Sequence, residues 1–245
     1  MKTDFTFKVT SPYEEWRAKT AFVKEMGTVQ WIEDEVGPAD VFYDIGANVG
    51  IYTVMAASKG ATVYAFEPHQ LNAKHLTDNV WLNHYQGLVT VLPIALHSEA
   101  GFLAFNYKSQ MAGTSGSQLG CTQDEFGRPF EPSSVEQVYA NTVDALLAAG
   151  TIRPATLIKL DVDGNELFVL KGMVGLLQTI PPRQIQVEVH PRDDEQIVEF
   201  MDGWDYRVAL RHFTQGGKES LTQGYTQAQI SHNIIFRLDR GTIAA

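Results

Sequence analysis

Residues 41–53 read VFYDIGANVGIYT, and this stretch decides the fold. An apolar run ends at Asp44, and two glycines, Gly46 and Gly50, follow four residues apart. An apolar run that leads through a glycine turn into a helical pattern is typical of a buried strand followed by a helix. The turn lacks the lysine of a P-loop, and it has one glycine fewer than the GxGxxG dinucleotide fingerprint. These differences count against a nucleoside triphosphate or NAD as the ligand.

The composition indicates one α/β domain over residues 1–245. The chain is 44% hydrophobic, which is enough for a substantial core, and its formal net charge of −10 disfavours nucleic acid as a partner. The lone cysteine, Cys121, cannot form an internal disulfide, and no apolar run approaches the ~18 residues of a membrane span. We therefore expect a cytoplasmic protein with no nucleic-acid or membrane partner. The oligomeric state stays open.

Short apolar runs alternate with helical patterns along most of the chain. We predict strands at residues 40–44, 62–67, 89–96, 156–162 and 184–189. We predict helices at residues 50–58, 71–83, 143–149, 166–178 and 194–201. Two last runs, YRVAL at 206–210 and HNIIFRL at 232–238, predict a terminal hairpin at one sheet edge. The order predicts a doubly wound, mostly parallel sheet.

Two segments fall outside this alternation. We interpret residues 1–39 as a helical extension whose aromatic residues Tyr13, Trp16 and Trp31 belong to the core. Residues 106–139 are rich in turn formers and predict a long inserted loop. Its part at 112–120 is a candidate lid that closes over a substrate.

The predicted strand ends carry the chemistry. In an open α/β sheet, ligands bind beyond the carboxyl ends of the strands. The side chains expected there are Asp44, Glu67, Asp161, Glu188 and His190. Glu67 lies about twenty residues after the glycine turn, where a carboxylate accepts ribose hydroxyls. S-adenosylmethionine fits best, because its sulfonium and ammonium groups favour nearby carboxylates such as Asp44 and Asp161.

Six blocks of the sequence together resemble the FkbM-type S-adenosylmethionine-dependent methyltransferases. They are VFYDIGANVGIYT, VYAFEPHQLNAKHLTDNVWLN, VLPIALHSEAG, NTVDALL, LIKLDVDGNELFVLKGM and QVEVHP, in the family's order over residues 40–191. The resemblance implies a class I methyltransferase (Rossmann-like) fold, a seven-stranded, mostly parallel sheet with helices on both faces. It also implies O-methylation of a small hydroxylated acceptor, such as a sugar or a polyketide. His69 and Asp163 depart from the commoner family pattern.

The resemblance also implies roles for individual residues. It places a first group at the methionine end of the cofactor, namely Asp44, Gly46, Asn48 and Gly50. It places Glu67 at the ribose, Ala95 beside the adenine and Asp161 at the reaction centre. An alternative for Asp44 is capping of the next helix. For Asn79 and Asn83 we predict bridges to backbone groups rather than a ligand role.

Two questions about catalysis stay open at this level. His190, or else Asp161, could accept the proton that the acceptor loses, while His190 could instead be a buried histidine paired with Glu188 or with backbone. Asp161, Asp163 and Glu188 could hold Mg²⁺, while Asp163 and Glu166 are equally explained as first residues of a helix. We expect an O-methyltransferase. The alternatives are an N-methyltransferase and a protein that binds S-adenosylmethionine without turnover.

Overall fold

The computed structural model describes residues 4–226 and 229–239. The helices are α1 (Pro12–Thr20), α2 (Met26–Glu35), α3 (Ile51–Ser58), α4 (Gln70–Leu82), α5 (Val143–Ala148), α6 (Glu166–Lys171), α7 (Val174–Thr179), α8 (Asp194–Asp202) and α9 (Gln215–Thr222). The strands are β1 (Val41–Ile45), β2 (Thr62–Phe66), β3 (Val89–Leu92), β4 (Ala95–Leu96), β5 (Gly101–Tyr107), β6 (Gln118–Leu119), β7 (Ser134–Asn141), β8 (Leu157–Leu160), β9 (Gln184–Val189), β10 (Tyr206–His212) and β11 (His232–Leu238). Within these residues, no helix has the length and apolar character to cross a membrane.

The described residues form a seven-stranded sheet in the order β10-β11-β9-β8-β1-β2-β3. β1 pairs in parallel with β2 on one side and with β8 on the other. β11 is antiparallel to both β9 and β10. The predicted class I fold, with its antiparallel C-terminal hairpin, is therefore confirmed. The strand order reverses between β1 and β8, which opens a crevice at their carboxyl ends.

Each face of the sheet has its own hydrophobic core. In β1, Phe42 packs into a cluster with Trp31 of α2 and Met55 of α3. Its neighbour Tyr43 points to the opposite face, in a cluster with Leu146 of α5. Successive strand residues face opposite sides, so a strand that is apolar at both parities must be covered on both faces. This explains why β1 lacks the polar alternation of a half-exposed strand.

Two elements predicted as continuous are interrupted. The run at 89–96 divides at Pro93 into β3 of the main sheet and β4 of a smaller one. Proline has no amide hydrogen and is disfavoured in the interior of a sheet. The helix predicted at 166–178 divides at Gly172 into α6 and α7. A Cβ at Gly172 would lie 2.1 Å from the carbonyl oxygen of His97, so the chain bends where it meets another backbone.

The segment 106–139 is only partly a loop. It contains β6 and the start of β7, which join β4 and β5 in a second sheet of order β4-β7-β5-β6 among the described residues. β7 alternates partly buried and exposed residues over much of its length, the pattern of a half-covered strand. β6 has two residues and leaves no periodic signal. Turn-forming residues occupy the connections between these strands, so the sequence of the segment shows no clear strand pattern.

The N-terminal extension contains α1 and α2. Trp31 is buried as predicted, and its indole nitrogen donates to Gln184 Oε1 at 2.7 Å. The core prediction is wrong for Tyr13 and Trp16, whose exposures are 45% and 49%, because α1 presents these side chains to solvent. Asn79 bridges backbone as predicted, since it accepts from the Lys8 amide and donates to the Val49 carbonyl. The Asn83 side chain likewise accepts from the Thr6 backbone amide and donates to the Thr6 carbonyl.

Candidate active site

A cavity of about 340 Å³ lies at the carboxyl ends of the central strands. The loops after β1, β2 and β8 and the end of β9 form its floor and walls, and the N-terminal extension covers it. Most of the predicted site residues line it, namely Gly46, Asn48, Glu67, Ala95, Asp161, Asp163, Glu188 and His190. Asp44 and Gly50 are not among its lining residues. Most of the side chains that we predicted at the strand ends therefore line the same cavity.

The turn requires glycine at positions 46 and 50 for two different structural reasons. Both have a positive φ, 78° at Gly46 and 87° at Gly50. A Cβ at Gly46 would lie 1.7 Å from the carbonyl oxygen of Asp161, so this glycine lets the turn after β1 touch the end of β8. A Cβ at Gly50 would lie 2.2 Å from Leu76 Cδ1 on α4. Gly50 therefore serves the packing of α3 on α4, and its predicted contact with the cofactor has no support in its position.

Glu67 is held in place by two backbone amides. Its Oε2 accepts from Asn48 N at 2.7 Å, and its Oε1 accepts from His69 N at 2.8 Å. Burial raises the pKa of Glu67 to about 7, although these two hydrogen bonds act in the opposite direction. A carboxylate oxygen can accept more than one hydrogen bond. Glu67 can therefore accept two ligand hydroxyls as well.

Asp44 lies beneath the cavity. It is fully buried, and its Oδ2 accepts from the Thr53 hydroxyl on α3 at 2.6 Å. Its Oδ1 lies 3.8 Å from the Lys159 ammonium. The capping alternative has support, because the Asp44 carboxylate interacts with both the hydroxyl and the backbone amide of Thr53 in the first turn of α3. Asp44 thus secures the turn to the floor of the cavity.

Lys159 is a cavity residue to which the sequence analysis gave no role. Its side chain is 2% exposed, and its ammonium lies 3.1 Å from Asp161 Oδ2 and 5.2 Å from the centre of the Tyr52 ring. Burial opposes the charge of Lys159, but the Asp161 and Asp44 carboxylates outweigh burial and raise its pKa. The signal in the sequence was a lysine within the apolar run LIKLDV. A lysine is buried in such a strand only when an acidic group pairs with it, so its presence indicated a nearby carboxylate.

Three carboxylates meet on one wall of the cavity. One oxygen from each of Asp161, Asp163 and Glu188 lies within 4.8 Å of the others. Burial raises the pKa of Glu188 well above its ordinary value, and the neighbouring charge of Asp161 raises it further. Asp163 has a positive φ of 55°, and its Oδ2 accepts from Gly116 N at 2.7 Å. The cluster can hold a proton or a cation among its oxygens.

Glu166 has a structural role that separates it from this cluster. Its Oε1 accepts from Val162 N at 2.9 Å and from Gly164 N at 3.2 Å. These bonds fold the loop after β8 back on the first turn of α6. The helix-start interpretation therefore holds for Glu166, whereas Asp163 points into the cavity.

His190 is a buried histidine with one partnered ring nitrogen. Its exposure is 3%, and Nδ1 lies 2.7 Å from the Ser231 hydroxyl. Nε2 has no hydrogen-bond partner among the described residues, and it lies 3.8 Å from Glu188 Oε2 and 4.0 Å from Glu166 Oε1. A buried polar atom without a partner is costly, which points to a ligand or a proton acceptor role.

Residues 113–116 of the candidate lid make several hydrogen bonds to side chains that line the cavity. Gly113 N donates to Asn72 Oδ1 at 2.7 Å, and the Thr114 carbonyl accepts from the side-chain amides of Asn48 and Asn72. Gly116 N donates to Asp163, as described above. These are the contacts of a fixed wall, so the structure gives the lid hypothesis no support.

Comparison with known proteins identifies relatives of one type. The profile of the methyltransferase FkbM domain matches residues 44–208. The hexuronic acid methyltransferase AglP of Haloferax volcanii is 28% identical over 192 residues, covering 78% of this chain and 73% of that protein. The 31-O-demethyl-FK506 methyltransferase FkbM of Streptomyces tacrolimicus is 26% identical over 198 residues, covering 71% of this chain and 75% of that protein.

Solved structures of low identity share the fold. Methyltransferase FkbM from Methylobacillus flagellatus KT superimposes with a TM-score of 0.55 at 14% identity, covering 93% of this chain. This chain spans about half of that structure, 48% of its length. A putative rRNA-methylase from Clostridium thermocellum gives a TM-score of 0.51 at 11% identity, covering 87% of this chain and 95% of the other. At these identities the likeness concerns the fold alone.

Proposed function

This chain is a methyltransferase of the FkbM family, and from that premise we propose that it methylates a hydroxyl of a small metabolite with S-adenosylmethionine as donor. The observation that carries the hydroxyl assignment is the unpartnered Nε2 of His190 in the cavity. An alcohol must lose a proton when it is methylated, and a buried imidazole nitrogen is suited to receive it. The names of the two curated relatives, a hexuronic acid methyltransferase and an O-demethyl-FK506 methyltransferase, support sugar-like or polyketide acceptors.

We assign the cofactor to the side of the cavity formed by the loops after β1 and β2. Glu67 would accept the ribose hydroxyls, while Gly46 and Asn48 border the methionine end. Ala95, a small buried residue, would lie beside the adenine. Asp161, held ionised by Lys159, would face the cationic centre. Asp44 then contributes indirectly, because its hydrogen bond from Thr53 and the nearby charge of Lys159 hold the turn that carries Gly46.

The remaining chemistry is assigned to the ends of β8 and β9. When bound, S-adenosylmethionine supplies a methyl group on a positively charged sulfur. His190 Nε2 would accept the proton that the acceptor hydroxyl loses on methylation, while the electrons of the broken sulfur–methyl bond would leave with S-adenosylhomocysteine. Ser231 holds the imidazole orientation through Nδ1, which keeps Nε2 directed at the acceptor. Positioning and one proton transfer are then the contributions of the chain.

We further propose that a divalent cation of the Mg²⁺ type fits the carboxylates of Asp161, Asp163 and Glu188. Oxygen ligands are those that Mg²⁺ prefers, and a nearby unpartnered His190 Nε2 is a second sign of a ligand at this wall. A bound cation would acidify an acceptor hydroxyl. The role of His190 as base does not require it.

Mass spectrometry of reaction mixtures tests the proposed function. The purified protein is incubated with S-adenosylmethionine and a panel of neutral sugars, uronic acids, polyketide alcohols and amines. We expect a methylated hydroxyl product and formation of S-adenosylhomocysteine. Products from amines alone would show an N-methyltransferase. Cofactor binding with no product across the panel would favour a binding protein, and tight NAD binding without S-adenosylmethionine binding would overturn the proposal.

A further inference from the structure

Arg17 on α1 lines the cavity and makes no ion pair with an acidic side chain among the described residues. Its Nε donates to the Gly113 carbonyl at 2.6 Å, and its terminal nitrogens make no hydrogen bond or ion pair to any described residue. The other two cations that line the cavity are paired. The Lys24 ammonium lies 2.7 Å from Glu25, and Lys159 is bound to Asp161. Arg17 therefore offers the one uncommitted positive group among the described lining residues.

The position of Arg17 is set by how α1 is attached. Ser11 and Glu14 form a capping box at the start of the helix. The Ser11 hydroxyl also donates to the Ala112 carbonyl at 2.5 Å, and Glu14 pairs with His75 of α4. The guanidinium is thus held over the cavity before any ligand binds, which lowers the entropic cost of using it.

We propose that Arg17 forms a carboxylate-binding subsite at the roof of the cavity, an inference that rests on the proposed methyltransferase function. A guanidinium presents paired N–H groups that match the two oxygens of a carboxylate. Asp161, Asp163 and Glu188 line the same cavity, and the negative charge that they carry disfavours an anion beside them, whereas Arg17 attracts one. An anionic group in the cavity is therefore directed toward Arg17. Arg17 and Lys24 also lie close enough to repel each other, and a carboxylate beside them relieves that repulsion.

The subsite lies outside the segment that identifies the family. The family profile begins at residue 44, whereas Arg17 and Lys24 belong to the N-terminal extension. Two carboxylates could be its ligand. One is the methionine tail of the cofactor, and the other is the acid group of an acceptor such as a uronic acid. The chemistry of recognition is the same, and a pair of titrations separates the two sources.

Calorimetry with two cofactor-like probes tests the first source. S-adenosylhomocysteine carries the amino-acid tail, and 5′-methylthioadenosine has the same nucleoside without it. If the tail is the ligand, Arg17→Ala lowers the affinity for S-adenosylhomocysteine by about tenfold or more and leaves that for methylthioadenosine unchanged. Unchanged methylthioadenosine binding also shows that the variant is folded. Lys19→Ala is the matched control, because Lys19 lies on the same helix, exposed and paired with Glu15.

A second titration tests the acceptor as source, with sodium glucuronate and glucose added to protein saturated with S-adenosylhomocysteine. If the acceptor acid is the ligand, Arg17→Ala abolishes glucuronate binding and leaves S-adenosylhomocysteine binding intact. Arg17→Lys keeps the charge without the paired geometry, so we expect an intermediate loss of affinity. This variant replaces Arg17→Ala if the alanine variant does not fold.

The subsite would be overturned if Arg17→Ala bound both carboxylate probes with the affinities of the wild-type protein. Failure of the wild-type protein to bind S-adenosylhomocysteine would instead count against the proposed function, and glucuronate titrated into the free wild-type and Arg17→Ala proteins would then test Arg17.

Discussion

Asp44 and Lys159 are register partners on adjacent parallel strands, with the Lys159 ammonium 3.8 Å from Asp44 Oδ1. Asp44 Oδ1 has no hydrogen-bond partner among the described residues, so this cation is its nearest compensation. The same ammonium lies 3.1 Å from Asp161 Oδ2 at the cavity wall. One buried lysine therefore joins the strand that leads into the glycine turn to the strand that leads into the acidic wall.

Removal of that lysine should destabilise the whole fold. We expect Lys159→Met to lower the free energy of unfolding by roughly 3–5 kcal/mol, because it leaves a buried carboxylate uncompensated. Asp44→Asn in the same chain should recover part of the loss, since the amide carries no charge. Urea unfolding of the single and double variants measures the coupling, with the exposed Lys218→Met as control. Additive losses from the two substitutions would contradict a direct Asp44–Lys159 interaction.

Cofactor binding should depend on pH through Glu67. Burial raises the pKa of Glu67 to about 7, so the carboxyl of the free protein is largely protonated below that pH. If ribose hydroxyls bind the ionised form, binding must release the proton there. Affinity for 5′-methylthioadenosine should then fall by up to about tenfold per pH unit below 7 and be level above it.

The Glu67→Gln variant separates this effect from other carboxyl groups of the cavity. It should bind more weakly by roughly 1.5–3 kcal/mol above pH 7 and lose the dependence on pH, because the amide does not titrate. Calorimetry from pH 5.5 to 8.5 compares the two proteins. A wild-type affinity that does not change over this range would exclude ionised Glu67 as the ribose acceptor.

The sequence was sufficient where function follows from the ends of parallel strands. Asp161, Asp163, Glu188 and His190 could be placed at one edge because β8 and β9 both end there. Asp44 shows where that argument fails. It shares the parity of Phe42, which faces α3, so its side chain points beneath that helix instead of into the crevice.

The cavity roof could not be predicted from local patterns. Arg17 reaches the cavity only because α1 is attached to residues about a hundred positions later, through Ser11 and Ala112. Neither hydrophobic periodicity nor a local motif predicts a contact between residues so far apart in the sequence. The strands within 106–139 were obscured for a related reason, since β6 has two residues and its pairing with β5 is tertiary.

Residues 113–116 should exchange slowly without ligand. Gly113 and Gly116 donate their amides to Asn72 and Asp163, so hydrogen exchange at both should be protected in the free protein. Asn72→Ala removes the partner of Gly113 N and one donor to Thr114 O, and it should increase exchange across the segment. The exposed Gln70→Ala, two residues earlier on the same helix, is the control. Fast exchange in the wild-type free protein that slows on adding S-adenosylhomocysteine would restore the lid hypothesis.

The acidic wall should bind a divalent cation if the metal proposal holds. We expect Mn²⁺ and Mg²⁺ to bind the free protein in calorimetry, and the Asp163→Asn/Glu188→Gln variant to lose that binding because two of the three carboxylate ligands are gone. Glu131→Gln, an exposed substitution, should bind as the wild type does. Absence of Mn²⁺ binding, with methyl transfer unaffected by EDTA, would remove the metal and leave proton transfer to the side chains.

His190 and Ser231 should separate proton transfer from cofactor binding. His190→Ala should keep its affinity for S-adenosylmethionine but slow methyl transfer by roughly 10²–10⁴-fold, the usual contribution of a positioned acid–base group. Ser231→Ala leaves the imidazole in place without its Nδ1 partner, so we expect a smaller loss of roughly 10–100-fold. Asp161→Asn should weaken binding and transfer together, because that carboxylate faces the cation. His97→Ala is the control, since His97 stacks on Phe168 and does not line the cavity. Single-turnover measurements with saturating cofactor exclude effects of product release, and a His190→Ala rate equal to the wild-type rate would show that the base is another group.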